Sequence, residues 1–391
     1  MIDIDAVRRE TSACNEVIHL HNSGAALMPD AVAEAVCAHI DLERRIGGYE
    51  AEEQAAQAIA GFYNGAAAMF GCADDEIAFM ENATAAWNAV FYGIAQNLKP
   101  GQRILTGQAE YASNYIAYLQ VAKQTGCSIE VIPNDASGQL DVDALEASMD
   151  GSVALISITH VPTSGGLVNP AAEVGKVARS HDVPYLLDAC QSAGQMPLDV
   201  DEIGCDALSC TGRKFLRGPR GTGILYVRRS SLERLPPATL DLRGATWTSR
   251  QEYQMAPGAR RFENWENNVA GQIGLGVAID YANRLGLDAI YARIQSLAEG
   301  LRQQLTQLEG VRVLDLGTEK CGIVSFVKAG HEPAAVVAAL REKGIHIGAS
   351  NQSSTLLDFE ARQLTELNRA GVHYYNSLDE LDRFCAELDR L

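Results

Sequence analysis

The sequence predicts an α/β protein of two domains, the larger of which is built on a mostly parallel sheet of seven strands. Short apolar runs alternate with longer amphipathic segments between about residues 77 and 230, a pattern typical of parallel strands joined by helices. From about residue 267 the pattern changes to long helical stretches with few strands. At 391 residues the chain also exceeds the usual size of one domain, so we expect one boundary.

Seven apolar runs are the predicted strands of the larger domain, and the amphipathic segments between them fit the connecting helices. In such sheets ligands collect where strands end and helices begin, because backbone N–H groups stay unpaired there and helix dipoles point outward. Polar residues that directly follow a strand are therefore the first functional candidates. The runs are IAFM at 77–80, RILTG at 103–107, SIEVIPN at 128–134, VALISITHV at 153–161, VPYLLDA at 183–189, ALSCT at 207–211 and GILYVRR at 223–229.

The C-terminal part is predicted to form a smaller α+β domain. A helical stretch rich in Ala, Leu, Gln and Arg runs from about 267 to 308. It is followed by the runs VRVLDL and GIVSFVKA, by a helix near 333–343 and by a last helix from 377. We therefore predict a large domain over 15–282 and a small domain over 283–391, to which the N-terminal segment 1–14 is added.

The composition restricts the classes of partner. Apolar residues make up 47% and charged residues 21%, the balance of a folded soluble protein. With 50 acidic and 32 basic residues the formal net charge is −18, so nucleic acid and anionic membranes are not expected as partners. No apolar run approaches the ~20 residues that a membrane span needs, and the start MIDIDAVRRETSA lacks the apolar core of a signal peptide. The expected location is the cytoplasm.

The spacing of cysteine and histidine predicts no metal site. The nine cysteines are scattered and form no CxxC pair, which favours reduced and mostly structural thiols. The eight histidines show neither an HExxH motif nor a paired Cys/His spacing. We therefore expect that the protein binds no metal ion.

Asp188 and Lys214 each follow a predicted strand of the larger domain. In YLLDACQSAGQMPLDV, at 185–200, an apolar strand leads into Asp188, and Gln191 comes three residues later. In SCTGRKFLRGPRGTGILYVRR, at 209–229, Lys214 follows one strand and precedes a Gly/Pro-rich turn and another strand. Taken separately, each residue has an ordinary alternative: Asp188 could cap the following turn, and Lys214 could be a solvated loop residue.

Taken together, the two segments resemble the class V aminotransferase and cysteine desulfurase family of pyridoxal 5′-phosphate (PLP) enzymes. The shared pattern is a strand, Asp, two residues and Gln, followed by [Ser/Thr]-Gly-x-Lys. The resemblance covers ordered motifs from about residue 16 to residue 384 and implies PLP fold type I. It implies that Lys214 carries the cofactor, that Asp188 pairs with the pyridine nitrogen and that Gln191 contacts the cofactor.

Further segments match cofactor-binding positions of this family. The region before the helix at FMENATAAWNAV, 79–90, lies where the family's phosphate-binding turn is. AEYASNY at 109–115 lies where an aromatic or imidazole ring covers the pyridine, and THVPTSGGLVNP at 159–170 lies where a loop faces the 3′ oxygen. Desulfurases have histidine where this chain has Tyr111, and tyrosine stacks equally well but takes up no proton near neutral pH. The resemblance thus makes Tyr111 a catalytic candidate and adds the cofactor contacts Ala83, Thr84, Tyr111, Thr163, Thr211 and Arg213.

Arg369 is the candidate for substrate binding. It lies in NRAGVHYYNSLDELDRF, at 368–384, which resembles the family's closing motif, in which an arginine holds the substrate α-carboxylate. The planar fork of a guanidinium matches a carboxylate through two parallel hydrogen bonds, which an ammonium group cannot provide. The ordinary alternative is a structural ion pair at the start of a strand.

One region departs from the desulfurases. They carry a nucleophilic cysteine on the loop before the substrate arginine, whereas residues 344–371 contain no cysteine. A persulfide-forming desulfurase is therefore disfavoured. The segments GGYEAEE at 47–53, GRKFLRGPRGTG at 212–223 and RRFENWENN at 260–268 look instead like isopenicillin N epimerase-like and ergothioneine-type C–S lyase-like members.

The resulting expectation is a homodimeric PLP enzyme that acts at the Cα of an L-amino acid. β-Elimination from a cysteine-derived substrate is the expected reaction, while amino-acid epimerisation and transamination use the same residues and stay open. A non-catalytic protein that binds PLP or an amino acid is the alternative from another class. Because family members build each site from two subunits, Tyr49 and Trp265 are expected either in the partner's pocket or in interface packing.

Overall fold

The computed structural model describes residues 2–391, which contain one large sheet and a second, smaller one. The strands in chain order are β1 (Ile18–His19), β2 (Ile77–Met80), β3 (Arg103–Gly107), β4 (Ser128–Ile132), β5 (Val153–Thr159), β6 (Tyr185–Asp188), β7 (Ala207–Thr211), β8 (Gly223–Val227), β9 (Ala245–Trp247), β10 (Tyr253–Met255), β11 (Val311–Val313), β12 (Ile323–Lys328), β13 (Ile345–His346), β14 (Gly348–Asn351) and β15 (Glu366–Gly371).

Helices connect and cover the strands. Within residues 2–391, no helix is both long enough and apolar enough to cross a membrane. The α-helices in chain order are α1 (Ile4–Arg9), α2 (Asp30–Ile46), α3 (Gly48–Gln54), α4 (Ala56–Phe70), α5 (Ala83–Ala95), α6 (Ala112–Thr125), α7 (Val142–Ala147), α8 (Ala171–Ser180), α9 (Val200–Ile203), α10 (Val269–Leu285), α11 (Leu287–Thr306), α12 (Pro333–Glu342), α13 (Leu356–Ala361) and α14 (Leu378–Asp389).

The main sheet has the order β2-β8-β7-β6-β5-β3-β4. Strand β8 runs antiparallel to both of its neighbours, and the other adjacent pairs are parallel. The predicted sheet of seven mostly parallel strands is therefore confirmed. Strand β4 ends before Pro133 and β6 begins after Pro184, because proline has no N–H group to offer the ladder, so both are shorter than predicted.

The main sheet is covered on both faces. In β2, Ile77 and Phe79 belong to one hydrophobic core, and Ala78 and Met80 belong to the other. Residues of α4, α8 and α10 pack in the first core, and residues of α5 and α6 pack in the second. Burial on both faces explains why the strands appear in the sequence as nearly continuous apolar runs.

The carboxyl ends of the parallel strands meet at one edge of the sheet. Strand β5 ends at Thr159, β6 at Asp188 and β7 at Thr211. Thr159 is in register with Asp188, which in turn is in register with Ser209. Strand β2 points the same way as β7, so α5, which follows β2, begins at this edge too. The polar residues that end the strands are thereby brought together.

The C-terminal part contains an antiparallel sheet of the order β11-β12-β15-β14. Helices α11 and α12 pack against this sheet, and α14 packs against both helices. Arg369 lies in the inner strand β15, opposite Ser325 of β12 and Gly348 of β14. As predicted, this part combines helices with short strands.

Two features of the chain path differ from the sequence prediction. The helical stretch predicted over 267–308 is two helices, α10 and α11, separated at Gly286, whose φ of 83° is a conformation that glycine adopts without strain. The predicted boundary between residues 282 and 283 thus falls inside α10, and the nearest break is Gly286. In addition, Ile18 and His19, predicted within the large domain, pair with β13 of the C-terminal part. The division into two domains stays a prediction.

Candidate active site

Two adjoining cavities lie at the carboxyl edge of the main sheet. The inner cavity has a volume of about 480 Å³ and the outer cavity of about 390 Å³. Arg369 lines the outer cavity. All nine predicted cofactor contacts line the inner cavity: Ala83, Thr84, Tyr111, Thr163, Asp188, Gln191, Thr211, Arg213 and Lys214. Four of them, Tyr111, Thr163, Arg213 and Lys214, line the outer cavity as well.

Asp188 is held rigidly at one end of the inner cavity. Its side chain is buried, with 5% of its surface exposed. Oδ1 accepts a hydrogen bond from the backbone N–H of Cys190 at 2.9 Å, and Oδ2 accepts one from Nδ2 of Asn114 at 3.0 Å. The two donors fix the plane of the carboxylate and leave its remaining lone pairs for a ligand.

Asn114 and Glu110 form a second layer behind Asp188. Nδ2 of Asn114 also donates to Oε1 of Glu110 at 2.9 Å. Glu110 is buried and accepts further hydrogen bonds from the hydroxyl groups of Thr159 at 2.5 Å and Thr106 at 2.9 Å. Burial raises the pKa of Glu110 to about 7, and the charge of Asp188 raises it too, while the hydrogen bonds lower it.

Lys214 lies in a turn that packs tightly against the segment after Asp188. The carbonyl oxygen of Lys214 accepts a hydrogen bond from the N–H of Arg217 at 2.9 Å. Gly194, with a φ of 88°, lies so close to this turn that a Cβ atom would come within 2.5 Å of the backbone of Phe215 and Leu216. Burial lowers the pKa of Lys214; the charges of Cys190 and Asp188 raise it in part, and the guanidinium groups of Arg213 and Arg369 lower it. A lysine with a lowered pKa holds a larger fraction of neutral amine.

The opposite end of the inner cavity offers hydrogen-bond donors at the start of α5. Asn82 caps this helix by accepting a hydrogen bond from the N–H of Ala85, which leaves the N–H groups of Ala83 and Thr84 for a ligand. A Cβ atom at Gly223 would lie 2.6 Å from the backbone of Asn82, so glycine is needed for β8 to approach this turn.

Thr211 and Arg213 stand beside this helix start. Thr211 is the last residue of β7 and is buried, and Arg213 is half-buried. The guanidinium of Arg213 donates a hydrogen bond to the carbonyl oxygen of Gly24. Helix N–H groups, a hydroxyl and a guanidinium are the groups that bind a phosphate in proteins.

Thr163 connects the two cavities. Nε2 of Gln191 lies 3.3 Å from Oγ1 of Thr163, and Nη1 of Arg369 donates to both the carbonyl oxygen, at 2.8 Å, and Oγ1 of Thr163. Within residues 2–391, Arg369 has no carboxylate partner, and its Nε and the Oε1 of Gln191 have no hydrogen-bond partner. Burial lowers the pKa of Arg369 to about 10.

Tyr111 stands at the entrance to both cavities. It precedes α6, and 38% of its surface is exposed. Its backbone N–H donates to Oε1 of Glu110 at 2.8 Å, which fixes the main chain from which the ring projects. Its stacking and catalytic roles stay predictions.

The residues of the inner cavity fit PLP. The lining includes donors suited to a phosphate, a buried carboxylate suited to a protonated ring nitrogen, and Lys214. The unpaired Oε1 of Gln191 is a buried polar atom of the kind that a ligand satisfies. No group of three or more His, Cys, Asp or Glu residues suited to a metal ion occurs in the described part of the chain.

Hydroxyl groups, and no thiol, line the outer cavity. Ser350 lies 2.8 Å from both Ser164 and Ser354, measured between Oγ atoms. Cys190 lines only the inner cavity, beside Asp188. Burial raises the pKa of the Cys190 thiol well above its usual value, and the charge of Asp188 raises it further, so this thiol is a weak nucleophile.

Residues 18–384 match the family model for class V aminotransferases, and the chain belongs to this family. The chain is similar to a probable cysteine desulfurase of Halobacterium salinarum, with 30% identity over 407 residues that cover 99% of this chain and 96% of the relative. The predicted family is thereby confirmed.

Solved structures agree with this assignment. An apo cysteine desulfurase from Thermococcus onnurineus NA1 superposes with a TM-score of 0.92 at 28% identity, covering 100% of this chain and 98% of that one. The cystine C–S lyase C-DES, in complex with its reaction product cysteine persulfide, superposes with a TM-score of 0.87 at 25% identity, covering 97% and 99%. A second C-DES structure holds glycine covalently linked to the PLP cofactor. The predicted fold, PLP fold type I, is confirmed.

Sequence reasoning missed Glu110 and Asn114. Both lie in the segment AEYASNY, from which only Tyr111 was selected. Glu110 lies in the loop before Tyr111, the N-cap of α6, and Asn114 lies in the first turn of that helix. An acid before a helix and an asparagine in its first turn are usually solvated or cap the helix, so nothing in the segment indicates that the pair faces Asp188.

Proposed function

We propose that this protein is a PLP-dependent lyase that cleaves the C–S bond of a cysteine-derived L-amino acid by β-elimination. The observation that carries this proposal is the pairing of two cavities with different linings. The inner cavity combines Lys214, Asp188 and a helix start suited to a phosphate, and the outer cavity combines a buried Arg369, whose Nε has no hydrogen-bond partner, with hydroxyl groups in place of a thiol.

Asp188 holds a proton on the ring nitrogen of the cofactor. Its carboxylate is buried and oriented by two hydrogen bonds, so it presents a fixed negative charge where water is scarce. When bound, PLP supplies an electron sink for the pair released at the substrate Cα, and the protonated nitrogen makes that sink effective.

Arg369 and Lys214 act on the substrate. The free Nε of Arg369 and the remaining N–H groups of its guanidinium bind the α-carboxylate, while Thr163 holds Nη1 in place. The lowered pKa of Lys214 allows its Nζ to take the proton from Cα. In the elimination, the Cα–H bond and the Cβ–S bond break, the sulfur leaves as a thiolate, and water converts the remaining fragment into pyruvate and ammonia.

The arrangement of thiols supports elimination over persulfide transfer. A desulfurase needs a thiolate that reaches the substrate sulfur, and the residues that line the outer cavity include no cysteine. Cys190 lines the inner cavity and carries a raised pKa, so it is poorly placed and poorly activated for this role. The relatives named cysteine desulfurase therefore support the substrate class, and the C-DES structures support the cofactor and the reaction.

The test is product analysis with the PLP-loaded protein. We expect cysteine conjugates and their S-oxides to yield pyruvate and ammonia, serine to react poorly because hydroxide is a poor leaving group, and none of the nine cysteines to carry a persulfide by mass spectrometry.

The alternatives give different products. In deuterium oxide, an epimerase would return both enantiomers labelled at Cα without pyruvate. An aminotransferase would release a keto acid and leave the cofactor in its amine form. A binding protein would form no product. Any of these three results contradicts the lyase.

We also propose that the protein is a homodimer. Tyr49 and Trp265 are 74% and 53% exposed, although large aromatic side chains are usually buried. Both line a third cavity of about 350 Å³, together with Glu52, Arg243 and other residues. An exposed aromatic pair beside charged groups suits a protein interface. Light scattering should give twice the mass of the chain, and Trp265→Ser should weaken the dimer, whereas a monomer at micromolar concentration would overturn the proposal.

A further inference from the structure

Glu110 is a buried acid without a cation beside it. Only 4% of its surface is exposed, and no arginine, lysine or histidine within residues 2–391 forms a salt bridge with it. Its oxygens instead accept hydrogen bonds from two threonine hydroxyls, the amide of Asn114 and the N–H of Tyr111. Burying a carboxylate is costly even with such partners, and a structural role would be served by an uncharged glutamine.

Asn114 joins this acid to the ring-nitrogen end of the inner cavity. Its Nδ2 atom carries two N–H groups, and it lies 2.9 Å from Oε1 of Glu110 and 3.0 Å from Oδ2 of Asp188. One amide therefore donates to two carboxylates at once. The reverse orientation would direct the amide oxygen at both carboxylates, so the acids themselves determine the orientation of the amide.

We propose that Glu110 and Asn114 are positioning residues for Asp188, with Asn114 holding the carboxylate in place and Glu110 reinforcing its negative charge toward the ring nitrogen of the cofactor. This inference rests on the proposed function, because it takes the ring nitrogen as the partner of Asp188. Neither residue touches the substrate or lines either cavity.

Electrostatics explains the effect of the second acid. Hydrogen bonds that run through a buried network polarise one another, and a charge behind Asp188 is poorly screened because both residues are removed from water. When Glu110 is ionised, the negative potential at the ring nitrogen is stronger and the nitrogen holds its proton more firmly. When Glu110 is protonated, that support is lost.

The charged and titratable groups that face Glu110 determine when it ionises. Asp188 of β6 raises its pKa, and Tyr118 of α6, buried nearby, stays neutral because burial raises its own pKa. The charge of Asp188 also acts on Lys214, whose pKa it raises against the effect of burial. The pKa of Glu110 is about 7 without cofactor, and a protonated ring nitrogen, as a nearby positive charge, lowers it. Glu110 should therefore ionise as pH rises through a midpoint somewhat below 7, and the ring nitrogen should then hold its proton more firmly.

The experiment compares PLP-loaded wild type with Glu110→Gln. In wild type we expect the absorbance of the bound cofactor to change between about pH 5 and 7 as Glu110 ionises, a change called the absorbance step here. We expect the variant to keep its cofactor, to keep its KM within about twofold, to lose about tenfold in kcat at pH 8, and to lose the absorbance step. If Glu110→Gln does not fold, Thr159→Val serves instead. It removes one hydrogen bond that stabilises the ionised acid, so the step should move to higher pH.

Asn114→Ala tests the route of the coupling. If the amide transmits the effect, adding Glu110→Gln to Asn114→Ala should change kcat and the absorbance step much less than Glu110→Gln does alone. The matched control is Tyr185→Phe, which removes one buried hydrogen bond, to the carbonyl oxygen of Ala171, from the same strand as Asp188. We expect wild-type kcat and an unchanged absorbance step in this control.

A wild-type absorbance step in Glu110→Gln, an equal loss in Tyr185→Phe, or additive effects in the double variant would each overturn the proposal. The absorbance step is read without substrate, so it separates this proposal from the reaction type. A lost step together with absent pyruvate would overturn the lyase and support the role of Glu110. Wild-type protein that binds no PLP would overturn both.

Discussion

The two ends of the inner cavity are built in different ways. At the ring-nitrogen end, Asp188 is 5% exposed, accepts hydrogen bonds on both oxygens and is backed by buried Asn114 and Glu110. At the end expected to bind the phosphate, Thr84 is exposed, Arg213 is half-buried and Thr211 is buried, and the other donors are backbone N–H groups at the start of α5. One end is a connected network of side chains, and the other is a set of separate donors.

This difference separates the two tasks of the site. A phosphate carries charge on several oxygens, so several weak contacts can share its binding and each can be replaced. The ring nitrogen is a single atom whose protonation state decides the chemistry, so its partner has to be buried and fixed. Changes at the ring-nitrogen end should therefore reduce turnover, and changes at the phosphate end should reduce affinity for the cofactor.

The largest effect is expected for Lys214→Ala, because in the proposed mechanism Lys214 both anchors the cofactor and moves the Cα proton. We expect kcat to fall about 10⁴-fold and the covalent attachment of PLP, trapped by borohydride, to disappear. Peptide mapping of the trapped cofactor checks the assignment. The control Lys176→Ala removes an exposed lysine paired with Glu173 and should behave as wild type. Cofactor found on any other lysine would refute the assignment.

Asp188→Asn tests the ring-nitrogen end of the inner cavity. The variant keeps the size of the side chain but loses the charge that is proposed to hold the proton on the ring nitrogen, so we expect kcat to fall about 10²- to 10³-fold. Cofactor content should stay close to that of wild type, because the phosphate contacts are untouched. Steady-state kinetics and the absorbance of the bound cofactor measure the two quantities. Wild-type turnover would remove Asp188 from the mechanism.

Arg369→Lys should give an intermediate effect on the substrate. Lysine keeps the charge but not the fork of donors, so the α-carboxylate is held in a less defined position, and we expect KM to rise and kcat to fall by about tenfold each. Arg362→Lys is a suitable control, because its guanidinium pairs with Asp358 and lines neither cavity. Unchanged kinetics in Arg369→Lys would mean that the carboxylate binds elsewhere.

Arg213→Gln should give the smallest effect, and it tests the phosphate end of the inner cavity. Loss of one charged donor among several should raise the Kd of PLP about tenfold and leave the kcat of the saturated enzyme within about twofold of wild type. Arg213→Lys keeps the charge and should recover part of the affinity. A cofactor titration followed by absorbance measures both variants. A kcat loss at saturation as large as that of Asp188→Asn would contradict the separation of the two tasks.

Much of the fold and of the site could be predicted from the sequence. Strands buried on both faces appear as apolar runs, and parallel strands bring their carboxyl ends to one edge, so polar residues that follow these strands are predicted to be functional. The signal of each cofactor candidate is local, since each lies within a few residues of the end of a strand or at the start of a helix, whereas Arg369 lies inside β15. The structure places all nine expected cofactor contacts around one cavity, and their roles stay predictions.

Only the tertiary structure decided the contacts between residues far apart in the chain. The amide of Asn114 meets Asp188 across 74 positions, Arg369 meets Thr163 across 206, and β1 pairs with β13 of the C-terminal part. Periodicity records which face of an element is buried but not what that face meets, because any apolar neighbour gives the same pattern. A buried acid such as Glu110 looks in the sequence like a solvated one, and only packing shows that water is absent around it.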